Sequence, residues 1–169
     1  MKKIILLTAL SICGFVFQSA SAQVRVSVGI NIGSQPVWGP VGYSHVEYYY
    51  MPDIDVFYYV PRRQYVYMER GNWIFAASLP YRYNHYNINT GYKVVINDPY
   101  PYRNVQVYRT KYASYKGNRS QKTIRDSRDA RYYQIKEHPE HNRWKQDQDR
   151  RKQPSPGRNN RNNNNKRRN

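Results

Sequence analysis

The stretch that most constrains the fold runs from residue 48 to residue 80, YYYMPDIDVFYYVPRRQYVYMERGNWIFAASLP. Three segments within it, 55–60, 64–69 and 73–78, are rich in aromatic and β-branched residues. Such residues favour strands, and each segment is bounded by residues typical of turns. Pro61 ends the first segment because proline cannot donate a hydrogen bond to a strand ladder. The sequence therefore predicts a three-stranded antiparallel meander.

One turn of this meander leaves the strand register open. If residues 70–72 form a three-residue turn, Tyr67 lies opposite Phe75 on the neighbouring strand. A two-residue turn breaks that register, and the sequence is compatible with both turns. We expect Trp73, at the start of the last strand, to be substantially buried against the meander.

Other extended segments flank the meander. Residues 23–33 alternate apolar and polar side chains, as a half-buried strand does. Residues 43–51 and 92–97 are also predicted strands. Residues 103–115 combine a strand-like alternation with apolar side chains at helical spacing, and we favour a terminal helix. The predicted fold class is all-β, a small antiparallel sheet with a short terminal helix, and Trp38 is a candidate packing residue.

The N-terminus predicts export. Lys2 and Lys3 precede an apolar run too short for a permanent membrane anchor, and the small residues of Ala20-Ser21-Ala22 follow it. We predict that residues 1–22 are a signal peptide cleaved after Ala22. A lipoprotein alternative at Cys13 conflicts with the bulky residue before it. The mature chain then has no cysteine, which excludes disulfides, thiolate metal sites and a cysteine nucleophile.

Charge divides the mature chain into two halves. Residues 23–115 carry nine Lys and Arg, five Asp and Glu, and 17 of the 19 tyrosines. From residue 116 onward there are 17 basic and six acidic residues, a net charge of +11. The sequence predicts a tyrosine-rich β domain over 23–115 and a basic segment over 116–144. The large side chains of that segment suffice for a transient helix or a docking segment, and they are Ile124, Tyr132, Tyr133, Ile135 and Trp144. The sequence also predicts a disordered, Asn- and Arg-rich tail over 145–169.

Several motifs together suggest a family. They are YYYMPDIDVFYY, PRRQYVY, GNW, SLP, GYKVVIND, TIRDSRDARYY and HPEHNRW, and they extend to about Trp144. The combination resembles small, uncharacterised, tyrosine-rich secreted and periplasmic proteins of the Bacteroidota. This resemblance implies a bacterial envelope protein and supplies no active site.

Two pairs of residues are candidates for metal chemistry. Asp53 and Asp55 would share one face of a strand, but the ligands and glycine turn of a calcium loop do not follow, so we favour turn and surface roles. His138 and His141, with nearby carboxylates, could share a zinc or nickel ion. Pro139 lies between them, and the alternative is a solvated helix start. The histidine pair supports a second hypothesis, a periplasmic metal-handling protein.

No catalytic motif is recognisable in the sequence. We therefore predict a protein that is not an enzyme and has no catalytic residues and no cofactor. The tyrosines have two interpretations, a binding surface and half-buried strand residues. The binding interpretation assigns ligand contacts to Tyr58, Tyr65, Tyr67 and Trp73.

The basic tail predicts an anionic partner. Export argues against intracellular nucleic acid, and no later stretch predicts a transmembrane helix. Lipopolysaccharide, another envelope polyanion or an envelope protein is the expected partner, in the periplasm or at the cell surface. The cationic residues assigned to this contact are Arg150, Arg151, Lys152, Arg158, Arg161, Lys166, Arg167 and Arg168.

Overall fold

A five-stranded antiparallel sheet forms the centre of the computed structural model, which describes residues 29–152. The strands are β1 Tyr48–Met51, β2 Val56–Tyr59, β3 Gln64–Glu69, β4 Asn72–Ala76 and β5 Val94–Ile96. Two α-helices follow them, α1 Val105–Lys111 and α2 His141–Lys152. Short 3-10 turns lie at Ile32–Ser34, Tyr81–Tyr83, Pro101–Asn104, Ala113–Tyr115, Ile124–Asp126 and Ala130–Tyr132.

The predicted meander is confirmed as β2, β3 and β4. Its second turn holds two residues, Arg70 and Gly71, both with positive φ. Consecutive positive φ values match the right-handed twist of a hairpin. Tyr67 therefore pairs with Ile74 and not with Phe75, so the structure adopts the two-residue alternative.

The strand order is β4-β3-β2-β1-β5, so the connection between β4 and β5 crosses from one edge of the sheet to the other. On the way, Tyr86 and Ile88 pack against one face of the sheet. The crossing places β1 between two neighbours, and all four β1 side chains are buried. The run of three tyrosines that begins β1 is thus interior on both faces.

The first face of the sheet is covered by α1 and the turn before it. Tyr48, Tyr50 and Phe57 from the sheet meet Tyr102 and Tyr108 from this cover. Phe57 and Tyr108 pack edge to face, with ring centroids 5.7 Å apart, an arrangement that aromatic pairs favour. The helix predicted within 103–115 is confirmed, and its apolar side faces this core.

The second face is covered by the loop that precedes β1. Trp38 packs edge-on against Tyr49 and Tyr58, at centroid distances of 5.4 and 4.8 Å. The Tyr49 hydroxyl donates to Gln35 Oε1, which satisfies a polar group in a fully buried site. Trp38 is thus a packing residue, as predicted.

The C-terminal segment, residues 116–152, packs onto that same loop. Its Ile124, Tyr132 and Ile135 are fully buried in a third apolar cluster. The backbone N–H of Ile124 donates to the Gly39 carbonyl at 2.8 Å, and the Tyr132 hydroxyl accepts from the Gly42 N–H at 2.7 Å. The charge boundary predicted at residue 115 is therefore not a packing boundary.

Two further sequence predictions differ from the structure. Disorder was predicted from residue 145, whereas α2 continues to Lys152, and the rest of that tail lies outside the described residues. The strand predicted over 23–33 lies mostly outside them too, and its described end contains the 3-10 turn Ile32–Ser34. The predicted signal peptide, 1–22, also falls outside.

Candidate functional site

The four residues predicted to bind a ligand do not form one surface. Tyr58 and Tyr65 pack in the cluster of the second face, whereas Trp73 packs against the first face. Tyr58 is 7% exposed and Tyr67 is 6% exposed, while Trp73 is half-buried. Most tyrosines of the sheet serve as core residues, which favours the strand interpretation of their abundance.

An exposed aromatic patch lies instead around the buried Tyr102. Phe75 on β4 is 45% exposed, and its ring lies 5.4 Å from that of Tyr102. Tyr100 is 55% exposed, and the Arg103 guanidinium lies over its ring at 4.8 Å. The two-residue turn pairs Trp73 with Met68 and Phe75 with Val66, and so places both rings on the first face of the sheet. The sequence could not reveal the patch without that register.

The aspartates hold separate parts of the fold together. The Asp53 carboxylate accepts from the Gly117 N–H at 2.8 Å and from Arg119 Nη1 at 2.6 Å. Asp55 accepts from the Tyr50 hydroxyl at 2.7 Å and from Arg109 Nε at 3.1 Å. These contacts connect the β1–β2 turn with the C-terminal segment and with α1. Both carboxylates therefore have structural partners.

The ring nitrogens of both histidines predicted to bind metal lie at hydrogen-bond distance from backbone groups of nearby residues. His138 Nδ1 accepts from the Glu140 N–H at 3.1 Å, and His141 Nδ1 lies 2.9 Å from the Tyr133 carbonyl oxygen. Within residues 29–152, no three His, Cys, Asp or Glu side chains are grouped so that they could hold a metal ion.

A groove runs between the 125–133 stretch and the start of α2, and we call it the C-terminal groove. It joins two neighbouring cavities of about 340 and 390 Å³. Cavities of this size suit small ligands. Tyr133, Glu140 and Arg143 belong to both cavities. The other principal lining residues are Arg125, Asp126, Arg128, His138, Trp144, Asp147 and Arg151.

The cations of this groove are only partly neutralised. Arg125 Nε lies 3.5 Å from Asp126 Oδ1, an exposed pair that solvent screens. Arg128 and Arg143 form no ion pair with any described carboxylate. These two guanidinium groups, and that of Arg151, which also forms no ion pair with a described carboxylate, remain available to an incoming anion.

His138 contributes a hydrogen-bond donor to the wall of the groove. Its side chain is 4% exposed, and Nδ1 already acts as an acceptor. In the neutral ring Nε2 must then carry the proton. Nε2 is buried and has no acceptor in the described part of the chain. A buried donor without a partner is costly, so His138 is a strained point in the wall of the groove.

The Lys93 amine, on the residue just before β5, is a second unusual polar group. Lys93 is 1% exposed, and its Nζ, 5.7 Å from the centre of the Trp38 ring, has no hydrogen-bond partner among the described residues. Burial, and secondarily the charge of Arg119, lower the pKa of Lys93 to about 8. The Lys93 backbone exchanges two hydrogen bonds of 2.9 Å with the Gln121 side chain. The residue thus lies where the sheet meets the C-terminal segment.

Three of the cationic residues predicted to contact an anionic surface are described. Arg150, Arg151 and Lys152 are exposed at the end of α2, where positive charge is favoured by the helix dipole. The other predicted contact residues, Arg158, Arg161, Lys166, Arg167 and Arg168, lie outside the described residues.

Comparison of the chain with protein-family models, with curated proteins and with solved structures finds no match in any of the three. None of the helices in residues 29–152 combines the length and the apolar character needed to cross a bilayer.

Proposed function

We propose that this chain is an exported, non-enzymatic envelope or surface protein that associates with anionic envelope polymers such as lipopolysaccharide. The proposal rests on how the side chains of the C-terminal segment are distributed between the core and the surface. Its Ile124, Tyr132 and Ile135 are buried, whereas Arg125, Arg128 and Arg143 remain exposed. The apolar residues attach the segment to the loop that covers the second face of the sheet, and the cations face solvent.

The backbone that carries the charge of residues 116–152 is attached to the loop before β1. Residues 116–152 contain 12 basic and six acidic residues, a net charge of +6, and residues 153–169 add five basic residues and no acidic ones. Backbone hydrogen bonds attach Ile124 to Gly39 and Arg125 to Val37, both at 2.8 Å. A cationic surface that is ordered before binding loses less conformational entropy on binding than a flexible chain does.

Salt dependence of binding tests this proposal. Full-length mature protein should be retained on immobilised lipopolysaccharide or heparin at low salt, and its affinity should fall linearly with salt on a double-logarithmic plot, because bound counterions are released. Removing residues 153–169 should lower the elution salt, since five cations are lost. Thermal melts should change little, because the deleted stretch contains no large apolar residue.

Equal elution salt for the full-length and truncated proteins would rule out a contribution of the last residues. Absence of retention at low salt for both forms would refute association with polyanions altogether.

Export is tested separately. N-terminal sequencing of protein recovered from the producing cells should begin at Gln23, or be blocked there by cyclisation of that glutamine. A chain that begins at a lipidated Cys13 would overturn the proposed processing.

A further inference from the structure

We infer that the C-terminal groove binds an acidic sugar unit, that is, a sugar carrying a sulfate, phosphate or carboxylate group. The inference rests on the proposed function and specifies which part of an anionic polymer the protein recognises. It is based on the combination of free cations, carboxylates and aromatic rings in a single groove.

The cations account for the anionic group. Arg128 and Arg143 are exposed and without ion-pair partners in the described chain. A guanidinium group presents a planar fork of donors that matches sulfate, phosphate and carboxylate oxygens. His138 lines the same cavity, and its ring packs behind that of Tyr133 with Nε2 buried. One oxyanion could therefore accept hydrogen bonds from both exposed guanidinium groups.

The carboxylates distinguish a sugar from a simple anion. Glu140 lies in both cavities, and it forms no ion pair in the part of the chain that the structure describes. A bare phosphate or sulfate would be repelled by Glu140 and by the nearby Asp126. Hydroxyl groups, in contrast, donate hydrogen bonds to carboxylates. A ligand that carries both an anionic group and several hydroxyls can bind the arginines with the first and the carboxylates with the second.

Aromatic rings supply the remaining contact. Tyr133 and Trp144 line the groove, and both are half-buried, so part of each ring is open to solvent. The Tyr133 ring is held in place because its hydroxyl donates to the Arg128 carbonyl at 2.8 Å. Its ring also packs 5.0 Å from that of His138. Flat rings with a polar edge suit the apolar face of a sugar.

Calorimetric titration with four small probes tests the inference on the full mature protein. The probes are a heparin-derived tetrasaccharide, tetragalacturonate, neutral maltotetraose and tripolyphosphate. The wild-type protein should bind the two acidic sugars more tightly than either of the other probes. The double substitution Arg128→Gln/Arg143→Gln should weaken binding of the acidic sugars by about tenfold or more, since two charge-assisted contacts are lost.

Two comparisons make the result specific. Arg62→Gln/Arg70→Gln removes the same charge from exposed positions outside the groove, and should weaken binding by less than about twofold. Trp144→Ala should weaken binding of both acidic sugars while leaving tripolyphosphate binding unchanged. Thermal melts of each variant verify folding, which these exposed or half-buried positions should permit.

Three outcomes separate the inference from the function on which it rests. Equal losses in the two double variants would overturn the groove as the site and leave general polyanion association standing. Tripolyphosphate binding as tight as that of the acidic sugars would overturn sugar recognition. A wild-type protein that binds none of the anionic probes and is not retained on lipopolysaccharide or heparin would refute both proposals.

Discussion

The sheet and the C-terminal segment use large side chains in opposite ways. In the sheet, tyrosines fill both faces of β1 and form the core, with Tyr49 and Tyr50 fully buried. In the C-terminal segment, three apolar anchors carry a surface composed mainly of arginine and lysine. Tyrosine is thus abundant in this chain because tyrosine side chains form the core of the sheet. The positive charge lies on the surface, where it is accessible.

We expect these anchors to make the two regions one cooperative unit. The third apolar cluster joins the C-terminal segment to the loop that covers the second face of the sheet. That loop carries Trp38, which packs on Tyr49 and Tyr58. A substitution that destabilises one region should therefore also destabilise the other.

The largest effect is expected in the sheet. Phe57 is fully buried and packs with Tyr50, Trp73 and Tyr108. Phe57→Ala should lower the free energy of unfolding by about 3 to 5 kcal/mol, the range for deleting a buried aromatic ring. Urea unfolding monitored by circular dichroism measures this loss. A cost under about 1 kcal/mol would contradict the placement of Phe57 in the core of the first face.

A second substitution tests whether the segment belongs to the same unit. Ile124→Ala should cost about 3 kcal/mol, because it removes a fully buried side chain. The loss should appear in one transition, reported equally by the tryptophan of the loop and by the far-ultraviolet signal of the sheet. Two separate transitions would show that the segment unfolds independently, and the two regions would then be separate domains.

Lys93, where the two regions meet, should show an effect of opposite sign. Its lowered pKa means that holding the charged form in the fold costs about 3 kcal/mol below pH 8. Lys93→Met should raise stability at pH 7 by about 2 kcal/mol, since about 1 kcal/mol of cation–π attraction to Trp38 is lost. Lys93→Arg is the control, because it keeps the charge and should not stabilise.

The pH dependence of the wild-type protein follows from the same groups. Between pH 8 and pH 10 the unfolded chain holds the Lys93 proton more firmly than the folded one, so stability should rise with pH. Above pH 10 the trend should reverse, because burial raises the pKa of Tyr65 and Tyr108 to about 12 and unfolded tyrosines ionise first. In Lys93→Met the rise between pH 8 and pH 10 should vanish. If it persists, another group causes it.

The smallest effect concerns Trp73. A fully buried tryptophan would cost about 3 to 5 kcal/mol on truncation. Trp73 is only half-buried, between Phe57 and Tyr102, so Trp73→Ala should cost about 2 kcal/mol. Thermal melts compared with those of Phe57→Ala give the ranking. A cost equal to that of Phe57→Ala would mean that the exposed aromatic patch is covered in solution.

Local patterns predicted the strands well, because an alternation that is rich in aromatic and β-branched residues is typical of a half-buried strand. The meander and β5 were recognisable in this way, whereas α1 was recognised from apolar side chains at helical spacing. The order of the strands was not, because β5 pairs with β1 through contacts distant in sequence. The turn at Arg70 and Gly71 escaped prediction because both turn lengths suit the same residues.

The candidate groove was harder to predict for a different reason. Its arginines, His138 and Trp144 lie in a stretch whose charge indicates a solvated tail, and only three buried residues attach that stretch to the fold. The large side chains of Ile124, Tyr132 and Ile135 indicated a transient helix or a docking segment, but nothing local showed what they would pack against. The buried Lys93 was visible only as a strand residue on the same face as Val95, with nothing local to indicate that its amine lacks a partner.

The contact between the beginning and the end of the described chain affects when the protein can fold. The hydrogen bond from the Gly42 N–H to the Tyr132 hydroxyl joins residues 90 positions apart, and the third apolar cluster closes over the same span. Contacts this distant cannot form until nearly all of the chain has emerged from a ribosome or from a secretion channel. The loop with Trp38 would stay loosely held until then. Completion of the fold is thereby postponed until the residues up to Ile135 are free to pack.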